Sequence, residues 1–339
     1  MASLALSFAG LAAVVAVAGI VLARSADTIA DATRLGRLLV GSLLLAAATS
    51  LPELTVDLAA VRQGHPDLAV GDLLGSSLMN LLILAVADLL QRTGRPMLSR
   101  EAASHALSAT LGIALTAIAG AALLTAGRLP HFSWLGIGGW SWSLLAAYIL
   151  GARMIFIDQR ISARAAAEAA PAEEHRQPEP WKWKELAPAA GSFATAAAVL
   201  CVAGPMLART AAALADRSGL GGSFIGTTLV ALTTSLPECV ATIAAIRCGA
   251  VDLAIGNTFG SNAFNMVLFA PLDAAHPGSL FSAASPIHAL TALAVIAATA
   301  VAVLGQLYRV ERRLPLFEPD AWLVLLIVFG ALWLVYRLS

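Results

Sequence analysis

Residues 49–80 read TSLPELTVDLAAVRQGHPDLAVGDLLGSSLMN, and residues 234–265 read TSLPECVATIAAIRCGAVDLAIGNTFGSNAFN. The two stretches align without a gap at a spacing of 185 residues. Pro52 falls on Pro237, Glu53 on Glu238, Ser76 on Ser261 and Asn80 on Asn265. Sixteen of the 32 positions are identical, which marks an internal duplication rather than a chance likeness. Each copy carries a glutamate directly after a proline inside an otherwise apolar segment. A buried acid and a helix-breaker repeated in two halves is the pattern expected of a secondary transporter.

The composition sets the solvent. The chain is 59% hydrophobic and 12% charged, with a mean hydropathy of +0.81, whereas a soluble domain carries roughly 25% charged residues. An all-α membrane protein follows, with the lipid bilayer as its main partner. Lys plus Arg equal Asp plus Glu at 21 each, which argues against nucleic acid as a partner. Cys201, Cys239 and Cys248 show neither metal nor redox spacing. The apolar run from Leu4 to Ala23 has no basic residue before it and is long enough to span a bilayer. It reads as a retained first helix, not a signal peptide.

Ten apolar segments can be drawn, at 4–23, 37–61, 67–90, 102–125, 134–157, 187–208, 221–246, 251–272, 286–307 and 320–337. The polar, Pro-containing stretch 158–186 divides an N-terminal half, 1–157, from a C-terminal half, 187–339. An odd number of spans per half forces the two copies into opposite orientations, giving ten transmembrane helices in a 5+5 inverted repeat. Of the 21 Lys and Arg, 16 fall on the side holding the 158–185 loop. The positive-inside rule then puts that loop in the cytoplasm and both termini outside. Trp181, Trp183, Trp322, Trp333 and Tyr336 read equally as interfacial anchors and as packing residues.

The duplicated motif is rich in oxygen. A carboxylate in mid-span costs several kcal/mol and normally faces a cavity or a partner. Pro52 and Pro237 donate no N–H and free the carbonyls of Ala48 and Thr233; a freed carbonyl in hydrocarbon needs a donor or a cation. Thr49, Ser50, Thr234 and Ser235 add hydroxyls in the same turns. An all-oxygen set of this kind suits a hard cation such as Ca²⁺ or Na⁺. Glycines four apart at 71 and 75, and at 256 and 260, let helix backbones approach closely. They leave Ser76 with Asn80, and Ser261 with Asn265, on one helix face.

The pattern T-S-x-P-E followed by G-N-x-x-G-S-N resembles the two alpha repeats of the sodium/calcium exchangers, here about 46–80 and 231–265. The likeness is to the prokaryotic type without a regulatory domain, in the cation/calcium exchanger superfamily. The proline before each glutamate resembles the sodium-coupled branch. By that resemblance Glu53 and Glu238 meet at the membrane centre and coordinate Ca²⁺, with Thr49 and Thr234 supplying further oxygens. Ser50, Ser235, Ser76, Ser261 and the carbonyls of Ala46 and Ala231 would serve Na⁺. Asn80 and Asn265 would lie between the glutamates, and the first and sixth helices would slide as a gating pair. The chain departs from the pattern in its first copy, where Asp72 replaces the usual Asn and Ser77 replaces the Asn kept at 262. Asp57 follows Glu53 by one turn, where the second copy has Thr242. Both extra acids read either as modulators of the cation site or as bland residues: Asp57 solvated at a helix end, Asp72 a hydrogen-bonded stand-in for Asn.

The leading expectation is a secondary active antiporter that exports Ca²⁺ on a Na⁺ gradient by alternating access. It needs no cofactor and sits in a bacterial inner membrane. The same fold exchanging cations for H⁺ is the alternative, and a cation channel is the reading from another class. No enzyme is expected: G-x-S-G and H-E-x-x-H are absent, and A-V-G-D at 69–72 lacks the first glycine of an aspartyl protease motif. Arg62 and Arg247, and Asp67 and Asp252, recur in matched turns and read as anchors or caps. The histidines lie mostly near helix ends.

Overall fold

The computed structural model describes residues 2–33, 35–90, 105–128, 132–169, 183–218, 232–307 and 319–338. The first half holds α1 (Ala2–Thr33), α2 (Arg37–Thr49), α3 (Leu51–Arg62), α4 (Pro66–Leu90), α5 (Ala106–Thr125) and α6 (Gly139–Ala169). The second holds α7 (Trp183–Ser218), α8 (Leu236–Arg247), α9 (Val251–Ala275), the single turn α10 (Leu280–Ala283), α11 (His288–Leu307) and α12 (Pro319–Leu338). Among the described residues seven helices are long and apolar enough to cross a bilayer; the pair α2 and α3, bent by 40° at Ser50, makes an eighth. The helix α9 has 25 residues, about 37 Å of length, and is buried along most of its course. The expected span 221–246 lies partly outside the described residues, as do Ala231, His131 and Trp181.

Three expected boundaries move. The span drawn as 37–61 is not one helix, because Pro52 withholds its N–H and the chain turns at Ser50 (φ −85°, ψ 5°). The span drawn from 134 begins instead at Gly139. Ahead of it a two-stranded hairpin pairs Ser133 with Gly138 and Trp134 with Ile137. Its turn residues, Leu135 and Gly136, have φ of 54° and 76°, as a tight hairpin turn requires. The expected first and sixth spans are longer than drawn, at 32 and 36 residues.

The repeat governs the packing. The buried positions on α1 include Val15, Ala18, Leu22 and Ala26, and those on α7 include the matched Leu200, Ala203, Leu207 and Ala211. These spacings make one stripe on each helix. The two stripes face each other, and the helices then cross to the opposite halves, α1 onto α8 and α7 onto α3. Each crossing uses a matched glycine. A Cβ on Gly204 would lie 2.5 Å from the Cβ of Pro52, and one on Gly19 would lie 3.0 Å from Val240 and 3.5 Å from the Pro237 carbonyl oxygen. At Gly204 only backbone fits against the proline turn, and at Gly19 a side chain would be tight against Val240.

Candidate cation site

The motif residues converge from both halves on one buried point. Within α2, residues Val40–Leu45 form a π-helical segment, a local widening that is frequent at functional sites. It lies against α9 because Gly256 and Gly260 present no side chain there. A Cβ on Gly256 would lie 2.9 Å from the Leu38 carbonyl, and one on Gly260 would collide with the backbone of Ser42. This close approach carries the turn at Thr49 and Ser50 into contact with the second repeat. Thr49 Oγ1 donates to Asn257 Oδ1 at 3.4 Å and lies 3.5 Å from Ser261 Oγ. Ser50 Oγ donates to Glu238 Oε1 at 3.3 Å.

Among the described residues the threonine contact has its mirror, whereas Ser235 reaches Ser76 and not Glu53. Thr234 Oγ1 donates to Asp72 Oδ1 at 3.1 Å, and Ser235 Oγ donates to Ser76 Oγ at 3.0 Å. Asn80 Nδ2 donates to Asn262 Oδ1 at 3.0 Å. Asn262 Nδ2 donates to the Ser77 carbonyl at 3.2 Å, and Asn265 Nδ2 donates to that of Leu73 at 3.4 Å. Glu53 and Glu238 lie near enough in this buried region to act on each other electrostatically. Thr49, Ser50, Glu53, Ser76, Asn80, Thr234, Ser235, Glu238, Ser261 and Asn265 are all buried. The Ala46 carbonyl accepts from Ser50 N at 3.1 Å and from Thr49 Oγ1 at 3.2 Å.

The oxygens left over define what the pocket accepts. Both oxygens of Glu53, Oε2 of Glu238 and Oδ1 of Asn265 are buried and receive no hydrogen bond. Buried acceptors without donors are costly. Two carboxylates and an amide oxygen around one point form a hard-oxygen cradle that a cation would satisfy. Asp57 departs from the solvated reading: its carboxyl is fully buried and lies beside that of Asp72. The short helix α3 is packed between α4 and α7, so its middle turn never reaches water.

A family described as sodium/calcium exchanger protein matches residues 3–156 and 188–336. The chain belongs to the sodium/calcium exchanger family. It is a membrane-embedded cation/calcium antiporter rather than an enzyme, and its cargo is small cations. The inner membrane protein YrbG of Escherichia coli (strain K12) is 31% identical over 247 residues, 70% of this chain and 69% of that protein. The sodium/calcium exchanger MaX1 of Methanosarcina acetivorans is 43% identical over 75 residues, 20% of this chain and 21% of that protein. Among solved structures, the sodium-calcium exchanger NCX_Mj soaked with Na⁺ and Sr²⁺ superimposes with a TM-score of 0.69 at 18% identity, covering 98% of both chains. That likeness establishes a shared fold.

Three features escaped the sequence reading. Asp273 on α9 is buried and accepts from Gly138 N at 2.7 Å, Ser141 Oγ at 2.8 Å and Leu280 N at 2.9 Å. It ties the hairpin, α6 and α10 to α9. Its match at 185 residues, Asp88, is buried too, a coincidence the alignment shows once it is carried past residue 80. The third feature is a pair of His–Asp contacts between halves, His105 to Asp252 at 3.0 Å and His288 to Asp67 at 3.2 Å. The matched aspartates thus anchor the fourth helix of the opposite half. No sequence period reveals this, because the histidines are 183 and not 185 residues apart.

Proposed function

We propose that this chain exports Ca²⁺ in exchange for Na⁺ by alternating access. The observation that carries the reading is the burial of Glu53 and Glu238 near each other, with three of their four carboxylate oxygens receiving no hydrogen bond. Neighbouring glutamates repel when both are ionised, so the pocket is stable only with positive charge between them. One Ca²⁺ or several Na⁺ supply that charge while the site crosses the membrane, and an empty ionised site does not cross. Exchange is thereby obligatory. Ca²⁺ takes the two carboxylates with Thr49 and Thr234. The hydroxyls of Ser50, Ser235, Ser76 and Ser261 and the carbonyls of Ala46 and Ala231 serve Na⁺. Asn80 and Asn265 line the space between the glutamates.

We place the 158–185 loop in the cytoplasm, both termini outside, and the protein in a bacterial inner membrane. Cysteines introduced in the loop and at the C-terminus should label from opposite sides; labelling from the same side would break the inverted repeat. The transport test is uptake of radiolabelled Ca²⁺ into proteoliposomes under imposed Na⁺, K⁺ or H⁺ gradients. An outward Na⁺ gradient should drive uptake, and the K⁺ gradient should not. Uptake driven by H⁺ with Na⁺ absent would replace this reading with proton-coupled exchange. Ca²⁺ flux with no counter-ion would replace it with a channel.

A further inference from the structure

The second repeat closes its flank with a neutral hydrogen bond, Asn257 Nδ2 donating to Thr242 Oγ1 at 3.2 Å. At the matched positions of the first repeat stand Asp72 and Asp57. A donor and an acceptor have become two acceptors. Asp57 is fully buried, and neither of its oxygens receives a hydrogen bond; Asp72 is 4% exposed, and its Oδ2 is likewise without a donor. The two carboxyls face each other, and Thr234 links Asp72 to the central site through its 3.1 Å hydrogen bond. Two adjacent carboxylates in a dry interior, with no counter-charge among the described residues, are strongly unfavourable. What stands in for the lost donor must be positive. Four carboxylate oxygens beside a hydroxyl make a hard, all-oxygen set of the kind that Na⁺ takes.

We propose that Asp57 and Asp72 form an accessory Na⁺ site, found in the first half only, that fills from the central site across Thr234. The proposal rests on the Na⁺-coupled reading above. Its effect is one additional Na⁺ bound per protein beyond those held by the two-glutamate centre. The pairing Asn257–Thr242 shows that the fold accepts a neutral pair at these positions, so Asp57→Thr with Asp72→Asn rebuilds the second half's arrangement in the first.

The experiment counts radiolabelled Na⁺ bound at saturation by the purified full chain, at fixed pH, for the wild type and for Asp57→Thr/Asp72→Asn. The single variant Asp57→Asn provides a second, nearly isosteric measurement should the double variant fold poorly. The expected result is one Na⁺ fewer per protein in either variant, with a correspondingly shallower Na⁺ dependence of Ca²⁺ exchange. Equal Na⁺ counts in wild type and variants would overturn the accessory site. So would equal counts accompanied by a changed pH profile, which would put a proton between the aspartates. If the wild type itself bound no Na⁺, the sodium-coupled function would fall first, a result distinct from equal and non-zero counts.

Discussion

The two repeats carry the same residue at five paired positions of the central pocket and diverge one turn behind it. Thr49 and Thr234, Ser50 and Ser235, Glu53 and Glu238, Ser76 and Ser261, and Asn80 and Asn265 are identical pairs, and all are buried. Behind them Asp57 faces Asp72 in one half while Asn257 bonds Thr242 in the other. A pocket shared by two halves needs equal oxygens from each, so the lining keeps its residues. Each flank meets the other half through a threonine hydroxyl, Thr234 on Asp72 and Thr49 on Asn257, which donates to an acid or an amide oxygen alike and so lets the charge change. On the proposed function, the duplication supplies matched oxygens to the cation pocket, and any asymmetry of the cycle lies in the flanks.

The lining should be the least forgiving part. Glu53→Gln and Glu238→Gln each remove a formal charge from a divalent site at almost constant shape, and the Coulomb loss scales with the charge of the cation. Both variants are expected to abolish Ca²⁺ exchange in proteoliposomes while the purified protein keeps its helical content. Na⁺ binding should weaken less than Ca²⁺ binding. If one glutamate variant exchanged at the wild-type rate, the equivalence of the two linings would be broken.

Next come the matched glycines that seat α1 and α7 on the proline turns. An added Cβ at Gly204 meets the rigid ring of Pro52 at 2.5 Å, whereas at Gly19 it meets a side-chain methyl of Val240 at 3.0 Å. Overpacking of this kind costs about 1–3 kcal/mol, and about 1.4 kcal/mol is a factor of ten in rate. Gly204→Ala is therefore expected to slow exchange by about tenfold or more, because it displaces the turn that holds Glu53. Gly19→Ala should slow it less, since Val240 can rotate away. Initial exchange rates of the two variants measure the difference, and the reverse order would show that the two crossings do not act alike.

Much of this was legible in the sequence because the duplication is itself a structural statement. Two gapless copies, each with a proline before an acid, marked the turn that departs from helix, although 37–61 reads as one apolar span; Ser50 is where the chain bends. The rest was hidden for physical reasons. Asp57 follows Glu53 by one turn and reads as nearing a helix end; only the packing of α3 between α4 and α7 keeps that turn from water. The segment Phe132–Gly138 is apolar enough to pass for the start of a span, but the left-handed backbone at Leu135 and Gly136 makes it a hairpin. Asp273 lies beyond the recognisable motif and holds one backbone amide and one hydroxyl of the other half, a contact with no sequence period.

Asp273 provides a smaller and purely structural contrast with the pocket. Its carboxylate accepts two backbone N–H groups and one hydroxyl, and hydrogen bonds to a charged group contribute about 1.5–3 kcal/mol each. Asp273→Asn keeps the shape but replaces one acceptor oxygen with a donor. It is expected to destabilise the protein by about 2 kcal/mol, read as a lower thermal midpoint in detergent, with Ca²⁺ affinity unchanged. A changed affinity at an unchanged midpoint would mean that this clamp reaches the cation site.

The smallest effects should come from the paired contacts at the helix ends. Asp67 and Asp252 occupy matched positions, and each binds a histidine of the other half, yet both aspartate side chains are 59% exposed. Exposed ion pairs contribute about 0–1 kcal/mol, because water screens them and ordering the side chains costs entropy. An asparagine at either place still offers an oxygen to the histidine. Asp67→Asn and Asp252→Asn are thus expected to leave the exchange rate unchanged and to shift stability by less than about 1 kcal/mol. The two variants should also resemble each other, since repeat-matched residues are doing the same work of fixing a fourth helix against a third. Loss of exchange in one variant alone would show that one of these contacts takes part in the cycle, and that the halves differ at their ends as well as in their flanks.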